Sequence, residues 1–200
     1  IEQKDSAEHL FMVYQTVSSH EPWVVPYNRL QDEKLNAFAY TDYSVGLLID
    51  SLKTLPQWDN LLVIMIPDHG YLYKQSYEDP EFFHSPMLWL GGAIRQPRRM
   101  QVLMNQSDLA ATLLSQLGIS HRDYPWSRNV LSRNYTYPFA YCCFPAGIMW
   151  KDHTGETLFD ITANSLVTDH HAGGEERLRK AQSVLQTGYD WYSEQMHTFR

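Results

Sequence analysis

The chain has 200 residues, of which 44% are hydrophobic and 20% are charged, a composition that excludes a disordered or low-complexity protein. Its formal net charge of −7 argues against a nucleic-acid-binding protein, whose contact surface is basic. No stretch approaches the roughly 18 consecutive apolar residues of a membrane-spanning helix, so the sequence predicts no membrane span within these residues.

The first third of the chain predicts a strand, a helix and a second strand. Residues 10–18 (LFMVYQTVS) are apolar and β-branched, which is typical of a buried strand. Residues 31–55 carry apolar side chains at helical spacing and end at Pro56. Residues 61–66 (LLVIMI) form an apolar run between Asn60 and Pro67, typical of a central parallel strand. Such a unit is nearly always a right-handed crossover.

This crossover brings two polar segments to one edge of the predicted sheet. His20 follows the first strand in the segment SSHEPW, and Asp68 and His69 follow the second strand. The carboxyl ends of parallel strands share an edge, and open α/β sheets bind ligands there. The sequence therefore predicts a functional site that contains His20, Asp68 and His69.

The remainder predicts a change from α/β to antiparallel structure. Residues 86–91 predict a short strand, and a helix runs from Ser107 or Asp108 to Leu117 with Gly118 as its stop. Residues 139–144, 147–150 and 157–160 predict short strands with a hairpin tip at 153–156, followed by a polar helix over 175–197. The predicted fold class is α/β: a mostly parallel sheet flanked by helices, a small carboxyl-terminal antiparallel subregion and a closing helix.

Asp68 and His69 are candidate ligands of a divalent cation. One carboxylate oxygen and one imidazole nitrogen suit Zn²⁺ or Mn²⁺ better than Ca²⁺, and Gly70 permits the chain to bend there. The alternative is a hydrogen-bonded loop pair. His20 is a candidate donor to a phosphoryl or sulfuryl oxygen, or an acid to a leaving group; the alternative is an ordinary loop histidine.

Three further residues are candidate substrate contacts. Arg29 can bind an anionic headgroup through its guanidinium fork, or it is simply solvated. His84 contacts substrate or metal if the loop 71–83 folds back over Asp68, and otherwise it is a structural histidine. Trp23 lines a headgroup pocket, or it packs against neighbouring residues.

Other common sites are not indicated by the sequence. There is no Gly-x-Ser-x-Gly, P-loop or dinucleotide-binding motif. Cys142 and Cys143 are adjacent, which is poor geometry for a disulfide, and they lack a positive neighbour that would activate a thiolate. Asp42 lies on the apolar face of the first helix, where it is expected to be buried and hydrogen-bonded.

Several segments occur in an order that resembles a known family: SSHEPW, NAFAYTDYSVGLLIDSLK, LLVIMIPDHG, HSPMLWLGG and SDLAATLLSQLGI. The sequence resembles the sulfatase-like branch of the alkaline phosphatase superfamily, and within it the lipoteichoic-acid-synthase-like phosphoglycerol transferases and the phosphoethanolamine transferases. The resemblance implies an alkaline-phosphatase-like fold and a divalent metal held in part by Asp68 and His69. Mn²⁺ or Zn²⁺ is expected, and Mg²⁺ or Ca²⁺ is possible. It further implies that His20 contacts the substrate phosphate and Arg29 its headgroup, while members of the family differ at the position of His84.

The resemblance also implies an organisation of the chain. Residues 1–200 match the carboxyl-terminal part of one sulfatase-like catalytic domain, with an α/β part over 1–120, a short-strand subregion over 121–165 and a terminal helix region over 166–200. The family's nucleophile and a further acidic metal ligand lie upstream of the matching residues. We therefore expect these 200 residues to be inactive alone and to bind metal weakly.

The implied activity is metal-dependent transfer or hydrolysis of phosphoglycerol-type or phosphoethanolamine-type headgroups in the bacterial envelope. The implied partners are a phospholipid headgroup or a sulfate or phosphate ester, without nucleic acid. The implied location is the bacterial inner membrane, anchored through an amino-terminal region, with the catalytic domain facing the periplasm or the exterior. Two alternatives remain: a sulfatase acting on sulfuric esters, and a non-catalytic domain used for binding.

Overall fold

The computed structural model of the chain describes residues 9–71, 73, 78–171 and 173–198. Its described residues divide into two compact units. The first unit lies within Ile1–Val63 and Trp89–Arg95, and the second lies within Ile64–Leu88 and Gln96–Arg200. Each unit is described by itself below.

Helix α1, Glu33–Lys53, is the main element of the first unit. It begins where the Asp32 side chain accepts hydrogen bonds from the backbone N–H groups of Lys34 and Leu35, a standard N-cap that satisfies otherwise unpaired donors. The predicted helix is thereby confirmed. The expected burial of Asp42 is wrong, because this carboxylate is exposed; helical spacing identifies a face but not whether another element covers it.

The strand predicted over residues 10–18 is wrong in this structure. These residues have no helix or strand assignment, and Phe11 and Val13 are 83% and 78% exposed. An apolar run becomes a buried strand only where a neighbouring strand satisfies its backbone groups and a second layer covers its side chains. Neither condition is met by the described residues around this segment.

The second predicted strand is present but shorter than expected. Strand β1 is Val63–Met65 and pairs with strand β2, Leu88–Leu90, in a two-stranded sheet. The division between the two units passes through both strands. All three residues of β1 are half-buried rather than buried, since this sheet has one partner strand for β1 among the described residues.

Helix α2, Asp108–Gln116, is anchored by an ion pair at its first residue. The Asp108 side chain is fully buried and accepts hydrogen bonds from Arg128 Nε at 2.9 Å and from the backbone N–H groups of Asn105 and Arg128. The Arg128 guanidinium also lies 3.7 Å from the centroid of the Phe139 ring. Helix α2 is therefore tied both to the loop that follows it and to the start of the next strand.

The carboxyl-terminal half forms a four-stranded antiparallel sheet in the order β3–β4–β5–β6. Two-residue loops join β3 to β4 and β4 to β5, because Phe144 pairs with Gly147 and Asp152 pairs with Gly155. This confirms the antiparallel subregion, and it adds a fourth strand that the sequence assigned to the terminal helix region. The strands are β3 Phe139–Phe144, β4 Gly147–Asp152, β5 Gly155–Asp160 and β6 Ser165–His170.

Helix α3, Gly174–Thr198, covers one face of this sheet. Ile148, Trp150 and Phe159 project to that face and form a core cluster with Ala181 of the helix, as expected for alternate residues of a strand. The closing helix predicted over 175–197 is confirmed, and the beginning of the terminal helix region expected over 166–200 forms part of β6 instead. Within the described part of the chain, no helix has the length and apolarity needed to cross a bilayer.

Arg177 fixes α3 to the sheet as a fully buried cation. Its Nε donates to Thr157 Oγ1 at 2.8 Å, and its Nη2 donates to Asp169 Oδ1 at 2.7 Å and to the His170 carbonyl at 2.8 Å. Its Nη1 donates to the carbonyl and hydroxyl oxygens of Thr154. A buried charge is tolerated only with such complete pairing.

Asp152 is a second buried charge, placed at the tip of the β4–β5 hairpin. Its carboxylate accepts hydrogen bonds from Tyr137 Oη, from Trp150 Nε1 at 3.1 Å, and from the backbone and hydroxyl of Thr154 at 2.8 and 2.6 Å. Burial by itself would raise the pKa of Asp152, but these hydrogen bonds favour the charged form and together hold its pKa well below the ordinary value.

Replacing the buried cation should destabilise the second unit. In Arg177→Met, the Asp169 carboxylate and the Thr154 and His170 carbonyls lose the guanidinium as a donor, so we expect a loss of about 3–5 kcal/mol in the free energy of unfolding. Urea unfolding followed by circular dichroism measures it. Arg179→Met, on the exposed side of the same helix, should change stability by less than about 0.5 kcal/mol. Equal losses in the two variants would contradict the role of Arg177.

Acid should destabilise the protein through Asp152. Because its folded-state pKa is lowered, its stabilising contribution is fully present above the ordinary aspartate pKa of about 3.9 and is lost as the pH falls toward the folded-state value. Asp152→Asn should be less stable at pH 7 and should show a shallower decline between about pH 5 and pH 3. Urea midpoints across this range test it, and identical slopes for the two proteins would contradict it.

Candidate metal and phosphate site

Asp68 and His69 form an exposed turn directly after β1. The Asp68 carboxylate accepts the backbone N–H of His69 at 3.0 Å, and its Oδ2 lies 3.5 Å from His69 Nε2. His69 Nδ1 lies 2.7 Å from the Gly70 carbonyl oxygen, which can only accept, so the ring proton at Nδ1 is donated there. This leaves Nε2 facing the carboxylate oxygen, as in metal-binding histidines that are oriented through their other nitrogen.

The turn is held in place by two contacts from elsewhere in the second unit. Gln106 Nε2, just before α2, donates to the Pro67 carbonyl oxygen. A β-carbon on Gly70 would overlap the carbonyl oxygen of Phe82. The chain bends at Asp68 and His69, as the sequence predicted, and Gly70 itself does not have a positive φ. A further reason for a glycine here is the close approach of the Phe82 backbone, which only a residue without a side chain allows.

The donor chemistry of this turn fits part of a divalent-metal site. A carboxylate oxygen and an imidazole nitrogen that face each other are suitable ligands for Zn²⁺ or Mn²⁺. Over residues 9–71, 73, 78–171 and 173–198, however, no group of three or more His, Cys, Asp or Glu side chains is arranged to hold a metal. Asp68 and His69 are thus two fitting ligands, and the described residues do not complete the set.

His84 ends a short 3₁₀ helix, Pro80–Phe83, and is exposed. Its Nδ1 lies 3.5 Å from Glu81 Oε2, so its nearest charged neighbour is a carboxylate of its own segment. It does not join Asp68 and His69 as a third ligand. The loop 71–83, on which the expected return of His84 over Asp68 depends, lies partly outside the described residues. A substrate contact by His84 stays a prediction.

His20 and Trp23 lie in one tight turn of the first unit. The Trp23 backbone N–H donates to the His20 carbonyl at 3.1 Å, and Trp23 has φ 64, an uncommon left-handed conformation for a bulky residue. The His20 ring is exposed, with Nδ1 3.0 Å from the Glu21 carbonyl. The Trp23 ring packs 5.9 Å from the Phe38 ring of α1. Contacts of His20 and Trp23 with substrate stay predictions.

Arg29 is held near the start of α1 by a buried asparagine. Asn36 Oδ1 accepts the backbone N–H groups of Arg29 and Leu30 at 2.9 Å each, and Asn36 Nδ2 donates to the Leu30 carbonyl. The exposed guanidinium of Arg29 lies 4.8 Å from the centroid of the Tyr27 ring, a cation–π contact. The backbone here is fixed, and a headgroup contact by Arg29 stays a prediction.

The predicted convergence of His20 with Asp68 and His69 at one sheet edge also stays a prediction. It was derived from a strand–helix–strand unit, and the first of those strands is absent over residues 10–18. His20, Trp23 and Arg29 belong to the first unit, while Asp68, His69 and His84 belong to the second.

The two cysteines support no nucleophile, as the sequence predicted. Both are free, with Cys142 half-buried and Cys143 exposed. Burial raises the pKa of both thiols, which lowers the thiolate fraction at neutral pH.

The sequence did not predict the two groups that hold the Asp68–His69 turn, Gln106 and the backbone of Phe82. The sequence signal for the contact with Phe82 was Gly70 itself.

Two comparisons with known proteins found a similarity to this chain. The family model described as Sulfatase matches residues 1–119. The solved structure of a protein in the alkaline phosphatase superfamily from Vibrio parahaemolyticus is similar, with a TM-score of 0.70 and 22% sequence identity over 90% of this chain. The match covers 48% of that protein, so this chain spans about half its length.

The likeness confirms the fold class predicted from the sequence: an α/β fold similar to that of this alkaline phosphatase superfamily protein, with an antiparallel sheet of four strands and a closing helix. The family model covers more than half of the 200 residues and includes the turn with Asp68, His69 and Gly70. The chain therefore belongs to the sulfatase family.

Proposed function

We propose that the protein containing this chain is a divalent-metal-dependent enzyme that transfers or hydrolyses phosphoryl groups, and that its substrates carry phosphoglycerol-type or phosphoethanolamine-type headgroups of the bacterial envelope. Membership of the sulfatase family supports phosphoryl or sulfuryl chemistry in general. The order of the segments from SSHEPW to SDLAATLLSQLGI supports the phospho-transfer branch. An envelope location, with the catalytic part outside the inner membrane, belongs to the same proposal.

The single observation that carries the proposal is the orientation of His69. Its Nδ1 donates to the Gly70 carbonyl at 2.7 Å, and its Nε2 lies 3.5 Å from the Asp68 carboxylate. A simple hydrogen-bonded loop pair would not need the ring fixed from behind in this way, whereas a metal ligand benefits from it. A bound divalent ion would neutralise phosphate charge and activate a hydroxyl nucleophile.

The roles of the other candidates follow from their exposed groups. His20 would donate a hydrogen bond to the phosphoryl oxygen on which negative charge develops. Arg29 would contact the anionic headgroup through its guanidinium fork, with its backbone already fixed by Asn36. Trp23 and His84 would line the headgroup region. Trp23 could line this region while its ring stays packed on Phe38.

One specific observation favours a second function. The family model that matches residues 1–119 is described as Sulfatase, and sulfuric esters are chemically close to phosphodiesters in size and charge. Hydrolysis of sulfuric esters is therefore the alternative. The ligand chemistry of Asp68 and His69 suits both reactions, so substrate preference has to be measured.

Removal of the Asp68 carboxylate should abolish activity through loss of metal. In the full-length protein, Asp68→Ala is expected to lower Mn²⁺ affinity and to reduce turnover roughly 100-fold or more. Equilibrium dialysis with Mn²⁺ and initial rates on bis(4-nitrophenyl) phosphate and 4-nitrophenyl sulfate provide the measurements. We expect the phosphodiester to be the better substrate, and a preference for the sulfate ester would favour the alternative.

Asp42→Ala is the matched control, because it removes an exposed carboxylate that is not a proposed metal ligand. It should leave both metal affinity and turnover unchanged. Normal Mn²⁺ binding and normal turnover in Asp68→Ala would contradict the proposed site. A full-length protein that binds no Mn²⁺ and turns over neither ester would indicate a non-catalytic binding domain.

His20→Ala should separate chemistry from metal binding. Loss of one donor to a developing oxyanion typically reduces kcat about 100- to 1,000-fold, whereas Mn²⁺ affinity should stay at the level of the unmodified protein because His20 is not a proposed ligand. The same dialysis and rate measurements apply. A variant with normal kcat would show that this histidine is an ordinary loop residue.

A further inference from the structure

The Asp68–His69 turn is linked through a short segment to the sheet β3–β6. We call residues 78–84 the 78–84 segment; it contains the 3₁₀ helix Pro80–Phe83 and ends at His84. The segment contacts the turn where the Phe82 carbonyl oxygen lies close to Gly70, in the space that a β-carbon would occupy. Because this contact is between two backbones, neither side can yield by rotating a side chain.

The opposite side of the 78–84 segment is attached to the sheet. The Phe83 ring stacks on the Phe144 ring of β3, with centroids 5.7 Å apart and an interplanar angle of 29°. Thr168 Oγ1 of β6 donates to the Glu78 carbonyl at 2.9 Å. Lys151 Nζ of β4 lies 3.6 Å from Glu81 Oε1. Three strands therefore contact the one segment.

These three contacts lie on one face of the sheet, opposite α3. Cys142 pairs with Met149, and Met149 pairs with Leu158, which pairs with Thr168. Alternation along each strand places Phe144 and Lys151 on the same face as these residues. Met149 and Leu158 are 5% and 3% exposed, so this face is covered although α3 packs on the other one.

The attachment depends on apolar and backbone contacts more than on charge. The ion pair between Lys151 and Glu81 is partly exposed, and Lys151 is closer to Glu156, with Nζ to Oε2 at 2.8 Å. Exposed ion pairs of this kind contribute little. The stacked rings of Phe83 and Phe144 and the close approach at Gly70 are the contacts that resist displacement of the segment.

The geometry points to Gly70 and Phe83 as positioning residues for the candidate metal turn. The 78–84 segment holds Asp68 and His69 at a fixed place relative to the sheet β3–β6. Phe83 anchors the segment on the sheet, and Gly70 lets the segment contact the turn. Since His69 donates to the Gly70 carbonyl, a shift of Gly70 also turns the imidazole. This inference rests on the proposed metal-binding function of the turn.

The test measures Mn²⁺ affinity in the full-length protein. Gly70→Ala should weaken Mn²⁺ binding at least about tenfold, the usual effect of disturbing a group that orients a ligand. Gly46→Ala is the matched control, because a β-carbon there has no heavy atom within 4 Å, and it should bind Mn²⁺ normally. Excess Mn²⁺ should restore turnover of bis(4-nitrophenyl) phosphate in Gly70→Ala, which a general folding defect would not allow.

Phe83→Ala provides an independent test at the other end of the segment. It should also weaken Mn²⁺ binding, and it should increase amide hydrogen exchange in the peptide covering residues 66–71. Phe83→Tyr keeps the stacked ring and should restore both values. Tyr189→Ala, which removes a ring that is 65% exposed on α3, should change neither. A urea midpoint is measured for each variant.

The outcomes separate this inference from the proposed function. Suppose that Asp68→Ala loses Mn²⁺ binding while Gly70→Ala and Phe83→Ala keep normal Mn²⁺ binding and normal hydrogen exchange. This result would overturn the positioning role and leave the proposed metal site intact. Asp68→Ala with normal Mn²⁺ binding would overturn the metal site. In that case, amide hydrogen exchange of residues 66–71 in Phe83→Ala still decides whether Phe83 fixes the turn. Unchanged exchange in this variant would overturn the positioning role as well.

Discussion

A buried guanidinium needs a hydrogen-bond acceptor for nearly every N–H group. This requirement determines how the strands and the last helix of the carboxyl-terminal half pack together. Arg177 finds its acceptors on β5, on β6, in the β4–β5 loop and between β6 and α3; they belong to Thr157, Asp169, His170, Thr154 and His171. The acceptors come from four separate places, so they are all in position only when β5, β6 and α3 are assembled. Apolar burial of Ile148, Trp150 and Phe159 supplies the bulk of the attraction, and the arginine selects one arrangement among those that bury similar areas.

Helix α3 packs on one face of the sheet, and the opposite face contacts the 78–84 segment. This opposite face carries Met149 and Leu158, which are buried, and the contacts that receive the 78–84 segment. The sheet thus connects a stabilising layer on one side with the segment beside the Asp68–His69 turn on the other. A change in the core can therefore reach the candidate site without any residue of the core touching a substrate.

The structural features that the sequence predicted correctly depend on residues close together in the chain. The helices could be placed because their signals lie within a few residues, as with the apolar spacing of α1 and Pro56 after it, and with Gly118 after α2. The Asp-His-Gly turn was also identified from its position after an apolar strand. Residues 10–18 and Asp42 were misjudged for one reason: burial depends on elements far away in the chain, which an apolar run or a helical face does not specify. The bend beside Gly70 was predicted, but its contact with Phe82 was not, because Phe82 comes from another part of the chain.

The packing on both faces of the sheet depends on the register of the β3–β4–β5 hairpins. Because side chains alternate between faces, a slip of one residue in β4 would move Lys151 toward α3 and Trp150 toward the 78–84 segment. Both faces would fail together, since a charge would enter the core and the Trp150 ring would leave its stacked position on Phe139 of β3. The two-residue loops at 145–146 and 153–154 prevent such a slip, and Asp152 reinforces the second loop by accepting from Thr154. The position of the candidate metal turn therefore depends on the loops at 145–146 and 153–154, far along the chain, which explains why local sequence patterns identified the ligands but could not identify what holds them.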